Sequence, residues 1–392
     1  MSRIIIFTGK GGVGKTSVAA AHARKASLEG KKTLIVSTDM AHNLGDLFEC
    51  SLGSVETEIA DGLYALEIDP NYEMTHEFVS LMSAFENIFP KHSKEADAME
   101  ALDLFPGIEE LFSLLKIHSI SEKGYYDLIV VDCAPTGETL SLLKFPELLS
   151  WYMEKMFPLG KTMMKVMRPV SKMLFKIQLP DGKAMNDIER LYMKLSALQE
   201  LLRNREVCSI RLVTVPEKMV VEETKRNYMY LNLYNFNVDG LYINRILPKD
   251  IDNTFFKEWL EIQKGYIEEL ENVFAELPVY PIKWYDIDLN GLGSLDKMCE
   301  EALNKKGLFE VLSCGQNEVY EKTEKGYCLR VRIPGVVKDE LEIHDAGDDL
   351  VLRIGNFKRN IPMPHVLVQY DIVSAKLKEE ALEIYFEKEE VQ

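Results

Sequence analysis

The sequence predicts a mostly parallel, doubly wound α/β sheet with an inserted helical subdomain, followed by an all-β sandwich. Short apolar runs alternate with helical segments from the N-terminus to about residue 310. Runs that are apolar on both faces are typical of parallel strands covered by helices on each side. After about residue 313 the segments become short and partly alternating, with turn residues between them, which is typical of antiparallel strands.

The individual elements follow from these patterns in chain order. The apolar runs predict strands at residues 3–8, 33–38, 63–68, 128–132, 209–215, 240–244 and 278–281. Helical periodicity predicts a helix from about residue 15 to residue 27. Two longer helical stretches, at about 71–122 and 137–205, exceed the length of simple crossovers and predict the helical subdomain. We therefore expect one domain over residues 1–312 and a sandwich over residues 316–392.

Composition excludes several classes of protein. The 392 residues are 46% hydrophobic, enough for two or three domains with their own cores. A net charge of −17 argues against nucleic acid or an anionic membrane as the main partner. No apolar run is long enough to span a membrane, and a strand starting at residue 3 leaves no room for a signal peptide. We expect a cytoplasmic protein without stable membrane insertion.

The turn between the first predicted strand and helix reads G-K-G-G-V-G-K-T over residues 9–16, a phosphate-loop motif in its usual context. Glycines there allow backbone N–H groups to surround phosphate oxygens. The positive end of the following helix points at the same anion. Lys15 is expected to neutralise the β- and γ-phosphates, and the Thr16 hydroxyl to bind Mg²⁺. The residues predicted to bind nucleotide in this loop are Gly9, Lys10, Gly11, Gly12, Val13, Gly14, Lys15, Thr16 and Ser17.

Two aspartates follow predicted strands and point to hydrolysis. Asp132 ends the strand at 128–132, where a phosphate-loop enzyme needs a carboxylate to support Mg²⁺. Asp39 follows the second strand and emerges at the same edge of the sheet. It is a candidate for orienting the attacking water or binding Mg²⁺, although an aspartate at this place also suits a helix N-cap.

Three segments in the right order carry a resemblance to a known family. They are the loop at 9–16, the stretch 37–44 and the stretch 132–137 (D-C-A-P-T-G). They resemble the family that contains the arsenite-pump ATPase ArsA and the guided-entry ATPase that carries tail-anchored membrane proteins. The similarity covers residues 1 to about 305.

The resemblance implies an activity and an assembly. It implies hydrolysis of ATP to ADP and phosphate, with Asp39 activating water, Thr16 holding Mg²⁺ and Asp132 supporting the ion from nearby. It also implies a homodimer, because the family's signature lysine, here Lys10, reaches across to the partner's nucleotide. There it supplies the charge that an arginine finger supplies in other enzymes.

The resemblance extends to the segments that contact the adenine base, and the chain departs from the family's pattern at several positions. Asn244 lies in a segment similar to the family's adenine-recognition segment, and Pro281 in one that closes over the base. The C-x-x-C that joins eukaryotic dimers through zinc is missing, and the six cysteines are dispersed. We therefore expect no zinc and no iron–sulfur cluster. Met40 and Cys133 replace the usual proline and threonine of the two switch segments.

The stretch at 151–185 is rich in methionines interleaved with basic residues. Flexible, polarizable methionines suit grooves that accept varied apolar helices, and the corresponding region of the tail-anchored-protein carriers forms the client groove. An ordinary helical core would show the same spacing. The candidate groove residues are Met153, Met156, Met163, Met164, Met167 and Met173.

The C-terminal segments resemble the α-crystallin domain of small heat-shock proteins. The carrying segments are 327–333, 341–344, 350–354, 358–362, 375–377 and 381–386. A bacterial and plastid branch of the ATPase family carries such a domain. We expect the ATPase unit to keep its activity without it.

The leading hypothesis is thus a homodimeric ATPase whose nucleotide state controls a hydrophobic surface for a polypeptide or membrane-protein client. An alternative is the motor ATPase of an efflux pump for arsenite or another oxyanion. A spatial-partitioning ATPase would need a terminal membrane helix or a basic DNA face, and the acidic C-terminal region supplies neither.

Overall fold

The computed structural model describes residues 2–38, 43–73, 76, 108–133, 182–251, 253–312, 315–347, 349–364, 366–367, 369–378 and 380–388. Its N-terminal part, to residue 312, is built on one sheet. The strands of this sheet are β1 (Arg3–Thr8), β2 (Thr33–Ser37), β3 (Thr57–Ala60), β4 (Leu63–Glu67), β5 (Leu128–Asp132), β6 (Cys208–Thr214), β7 (Val238–Ile246) and β8 (Val279–Lys283).

Helices connect these strands. Those in the described part of the chain are α1 (Lys15–Leu28), α2 (Asn43–Phe48), α3 (Pro70–Tyr72), α4 (Ile108–Lys123), α5 (Gly182–Arg203), α6 (Lys218–Leu233), α7 (Thr254–Val273) and α8 (Gly291–Glu301). Nearly all of α4 and the whole of α5 fall within the predicted helical subdomain. The rest of that subdomain lies largely outside the described residues, so its boundaries stay a prediction.

The sheet order is β3-β4-β2-β5-β1-β6-β7-β8, and every pairing is parallel except that of β3 with β4. This confirms the predicted fold class. Strand β3 was not predicted, because Thr57–Ala60 is a four-residue edge segment with little apolar character. It bonds only to β4, so the tertiary neighbour rather than the local pattern defines it.

The two faces of the sheet bury different side chains because strand residues alternate. On β1, Ile4 and Ile6 belong to one core cluster, which includes residues of α4, α5 and α6. Ile5 and Phe7 belong to the other, which includes residues of α1 and α8. The strands are therefore buried on both faces, as their continuous apolar sequences predict.

The C-terminal part forms two antiparallel sheets, hereafter the sandwich (residues 315–388). One has the order β14-β15-β10-β9 and the other β11-β12-β13. The strands are β9 (Glu318–Lys322), β10 (Gly326–Arg332), β11 (Leu341–Asp345), β12 (Asp349–Ile354), β13 (Phe357–Pro362), β14 (Asp371–Lys378) and β15 (Ala381–Glu387). This confirms the predicted all-β region, to which β9 is an addition.

The sandwich shares a hydrophobic core with the N-terminal part. The cluster beneath α6 continues into Leu329 and Val331 of β10 and Leu350 and Leu352 of β12. The sandwich is thus packed onto the N-terminal part. Among the described helices, none has the length and apolar character needed to cross a membrane.

Candidate phosphate-binding site

The loop between β1 and α1 contains two glycines, Gly9 and Gly14, at which a side chain would be strained and crowded. Gly9 has φ +152°, and a Cβ built there would lie 2.1 Å from the Val213 carbonyl oxygen of β6. Gly14 has φ +89°, and its Cβ would lie 2.4 Å from Nδ2 of Asn244. Both conformations favour glycine. The turn therefore approaches β6 and β7 closely while leaving room on its open side.

The start of α1 provides an anion-binding end. Gly14 is its N-cap, no side chain caps the helix, and its first turn carries no acidic residue. The first N–H groups of a helix lack internal partners, and the helix dipole makes this end positive. Thr16 and Ser17, in that first turn, are partly exposed. The residues present therefore fit a phosphate chain, with the Thr16 hydroxyl available to Mg²⁺.

The two lysines of the loop occupy different environments. Lys15 is 7% exposed, and its Nζ donates to the carbonyl oxygen of Lys10 at 3.3 Å. The side chain of Lys10 is 37% exposed, and its Nζ lies 3.4 Å from Oε2 of Glu223 on α6. Lys15 is thus folded against its own loop, whereas Lys10 points to another element. Glu223 was not among the residues predicted for the site.

Asp132 is the last residue of β5, a central strand of the sheet. It therefore lies at the carboxyl ends of the strands, where the phosphate loop begins. It is 1% exposed and pairs in register with Phe7 of β1 and Ser37 of β2. The backbone N–H of Cys133 donates to Phe7 O at 3.1 Å, and that of Thr38 donates to Asp132 O at 3.0 Å. The structure therefore brings the predicted Mg²⁺-supporting carboxylate to the carboxyl ends of the strands beside the loop. Asp39, Met40 and the groove methionines lie outside the described residues.

Asn244 is brought to the loop from the distant strand β7. Its Nδ2 donates to the Val13 carbonyl oxygen at 2.8 Å, and its Oδ1 accepts the Arg245 N–H at 2.9 Å. The side chain is 5% exposed, so in this structure the amide ties β7 to the phosphate loop. Pro281 is an exposed residue of β8 that pairs with Ile243. The roles of Asn244 and Pro281 at the base stay predictions.

A buried polar network lies beneath α1. It was not predicted from the sequence. His22 is fully buried, its Nδ1 is 2.8 Å from Val18 O, and its Nε2 is 2.8 Å from the Tyr242 hydroxyl. Burial, with a smaller contribution from Arg211, lowers the pKa of His22 to about 3. A neutral ring donates from Nδ1 and accepts the Tyr242 hydroxyl proton at Nε2. The only sequence signal was a histidine on the apolar face of α1.

The network continues through two buried ion pairs. Nε of Arg211 donates to Oδ1 of Asp239 at 3.0 Å, and its Nη1 donates to the Tyr242 hydroxyl at 3.2 Å. Nη2 of Arg3 donates to the second oxygen of Asp239 at 3.1 Å. These contacts link α1 to β6 and β7. Because β7 also carries Asn244, the position of the phosphate loop depends on this network.

Two of the described cysteines are ill suited to bind a soft metal. Cys208 and Cys299 are buried, and burial raises the pKa of each thiol to about 12. Thiols with such pKa values are protonated at neutral pH, whereas a thiolate is the ligand form. Among the described residues, no three histidine, cysteine, aspartate or glutamate side chains are placed to share a metal ion.

Two family models together match most of the chain. A sequence model for anion-transporting ATPases of the ArsA type matches residues 2–304, and one for the HSP20-like domain found in ArsA matches residues 324–386. A protein of Aquifex aeolicus named as an arsenical pump-driving ATPase is 31% identical over 98% of this chain and 99% of its own length. One of Chlorobaculum tepidum with a similar name is 34% identical over 99% and 96%. A protein of Paramecium tetraurelia named ATPase ASNA1 homolog 1 is 28% identical over 78% and 93%.

Proposed function

Because this chain belongs to the ArsA ATPase family and is an ATPase, we propose that it works as a cytoplasmic homodimer whose nucleotide state controls a hydrophobic client-binding surface. The client would be an apolar polypeptide or membrane protein, as in the chaperone and membrane-targeting members of the family. ATP binding would draw two chains together, and hydrolysis would loosen them.

The observation that carries the proposal is the different placement of the two loop lysines. Lys15 is buried within its own loop, where it is suited to the phosphates bound by the same chain. Lys10 is partly exposed and points away from its own loop to Glu223, so its charge can reach a second chain once this ion pair opens. A cation delivered across an interface stabilises the negative charge that develops during phosphoryl transfer.

Thr16, Asp132 and Asn244 receive roles from their positions, and Asp39 receives its role from the family resemblance. Thr16 would bind Mg²⁺ from the start of α1, and Asp132 would support the ion from the end of β5. Bound Mg²⁺ neutralises phosphate charge. Asp39 would hold and activate the attacking water. Asn244 would hold the phosphate loop in shape through its side-chain amide. The amide fits beside Gly14 because glycine has no Cβ.

Complementation between two inactive variants tests the shared site. Lys10→Ala should bind ATP but hydrolyse it poorly, whereas Lys15→Met should not bind ATP. Mixed dimers would place an intact Lys15 and a partner's Lys10 at one nucleotide. An equal mixture should therefore recover up to about a quarter of wild-type activity, because half the dimers are mixed and each holds one complete site. If the mixture hydrolyses no more ATP than its parts, Lys10 does not act across an interface.

A fluorescent peptide with one apolar helix of membrane-spanning length tests the client surface. The peptide should bind more tightly in one of the ATP and ADP states, and Met156→Asp with Met163→Asp should weaken that binding. Met193→Asp on α5 is the matched control, because Met193 is a 56% exposed methionine outside the predicted groove. Equal binding in both nucleotide states would contradict nucleotide control.

A pump motor is the second candidate, supported by the names of the Aquifex and Chlorobaculum relatives. It predicts that arsenite or antimonite stimulates hydrolysis, which requires thiolate ligands. The raised pKa values of Cys208 and Cys299 do not favour these thiols as ligands. ATP hydrolysis measured with and without the metalloid distinguishes the two functions.

A further inference from the structure

Helix α6 touches the phosphate loop near one end and the sandwich at the other. Its 16 residues span about 24 Å. In its first half, Glu223 pairs with Lys10 at 3.4 Å. The next residue, the buried Thr224, donates its hydroxyl to Thr214 Oγ1 of β6 at 2.9 Å. This half of α6 therefore contacts the strand that the loop also touches.

The second half of α6 is held by two arginines of the sandwich. Arg359 of β13 is 4% exposed and donates to the carbonyl oxygen of Leu233, the last residue of the helix. A cation there satisfies a carbonyl that lacks a helical partner and matches the negative end of the dipole. Arg332 of β10 pairs with Glu276, which follows α7, at 2.8 Å and with Glu380 of the sandwich at 3.0 Å. It contacts α6 through the ring of Tyr228, whose centroid lies 5.8 Å from the guanidinium.

Aromatic and hydroxyl contacts complete this joint. The Tyr234 hydroxyl donates to the Lys358 carbonyl oxygen at 2.5 Å, directly after the helix ends. The Tyr230 ring meets Phe357 edge to face, with centroids 4.8 Å apart. The contacts combine burial, charge and directed hydrogen bonds, so the sandwich determines where the C-terminal end of α6 lies. Because an α-helix is stiff over four turns, a shift at this end also moves Glu223.

We propose that the sandwich regulates the phosphate loop through α6, with Glu223 and Arg332 as positioning residues that hold Lys10 within its own chain. The proposal rests on the proposed function, in which Lys10 serves a partner's nucleotide. Lys10 must leave Glu223 before it can do so. The ion pair is partly exposed, so it favours Lys10 paired with Glu223 over Lys10 released to the partner by at most about fivefold. A bias of that size tunes dimer formation without preventing it.

The reactivity of the Lys10 amine in the nucleotide-free full chain tests this proposal. Acetylation by N-hydroxysuccinimidyl acetate is followed by mass spectrometry, with the exposed Lys264 as internal reference. A paired ammonium must leave its carboxylate before it can react. Glu223→Gln should therefore raise the Lys10 rate about two- to fivefold. Arg332→Gln should raise it by no more than that, and should add nothing in the Glu223→Gln background.

Arg330→Gln is the matched control, because Arg330 lies on the same strand and pairs with Glu383 inside the sandwich. It should leave the Lys10 rate unchanged. The proposal is overturned if Glu223→Gln or Arg332→Gln has no effect, if their effects add, or if Arg330→Gln acts equally. Should Arg332→Gln fail to fold, Tyr234→Phe removes one contact of the same joint. The labelling requires no ATPase activity, so its failure is distinct from failure of the complementation assay.

Discussion

The close approach of Gly14 to Asn244 predicts what an added methyl group would cost. Gly14→Ala places a residue with a side chain at φ +89°, in the left-handed region, which costs about 1–2 kcal/mol. The new Cβ would also lie 2.4 Å from Nδ2 of Asn244, so the amide must leave the Val13 carbonyl oxygen. Loss of that buried hydrogen bond costs a further 1–2 kcal/mol or so. The expected total is about 2–4 kcal/mol of unfolding free energy.

Two other glycines of the same loop separate these contributions. Gly12 has φ +79° with nothing within 4 Å of its Cβ position, so Gly12→Ala should cost only the conformational term of about 1–2 kcal/mol. Gly11 has an open Cβ position and no positive φ. Gly11→Ala should therefore be neutral or stabilising by up to about 1 kcal/mol. The three substitutions are chemically identical, which makes them matched controls.

A double-mutant cycle with Asn244→Ala completes the measurement. In that background Gly14→Ala should cost only its conformational term, so the two changes should be coupled by about 1–2 kcal/mol. Urea unfolding of the nucleotide-free chain, followed by tryptophan fluorescence, gives each free energy. Simple additivity of the two substitutions, or a Gly14→Ala cost equal to that of Gly12→Ala, would refute the reasoning.

Two further predictions concern stability. Burial holds the pKa of His22 at about 3 against 6.5 for the free side chain, so the unfolded chain takes up a proton that the folded chain refuses. The contribution of His22 to the free energy of unfolding should be fully present above pH 6.5 and should decrease by at most about 5 kcal/mol as the pH falls towards 3. Urea unfolding of His22→Gln should show a smaller pH dependence. Removal of the residues after 312 would expose Tyr230 and Tyr234, each 1% exposed in the full chain, because Phe357 and Lys358 of the sandwich contact them. The shortened chain should melt at least about 5 °C lower by calorimetry, and an unchanged melting temperature would instead favour an ATPase unit independent of the sandwich.

The parts of the candidate site that are formed by one continuous segment of the sequence were predictable. The phosphate loop and the start of α1 are local, because backbone N–H groups and the helix end supply most of the binding chemistry. Asp132 was placed correctly at the end of a buried strand, because parallel strands bring their carboxyl ends to one edge of a sheet. The order of the strands was not predictable from local patterns, since it depends on pairings between distant segments.

The sequence by itself determined the fold class, the phosphate loop and the family, because apolar periodicity and a loop motif express local backbone preferences. Only the tertiary structure decided the partners of the loop. Asn244 meets Val13 across 231 positions of the chain, and Glu223 meets Lys10 across a similar separation. It also decided that the sandwich packs on α6, where Arg359 reaches a carbonyl 126 positions away. A contact between distant segments depends on how the layers pack, and no local pattern records that packing.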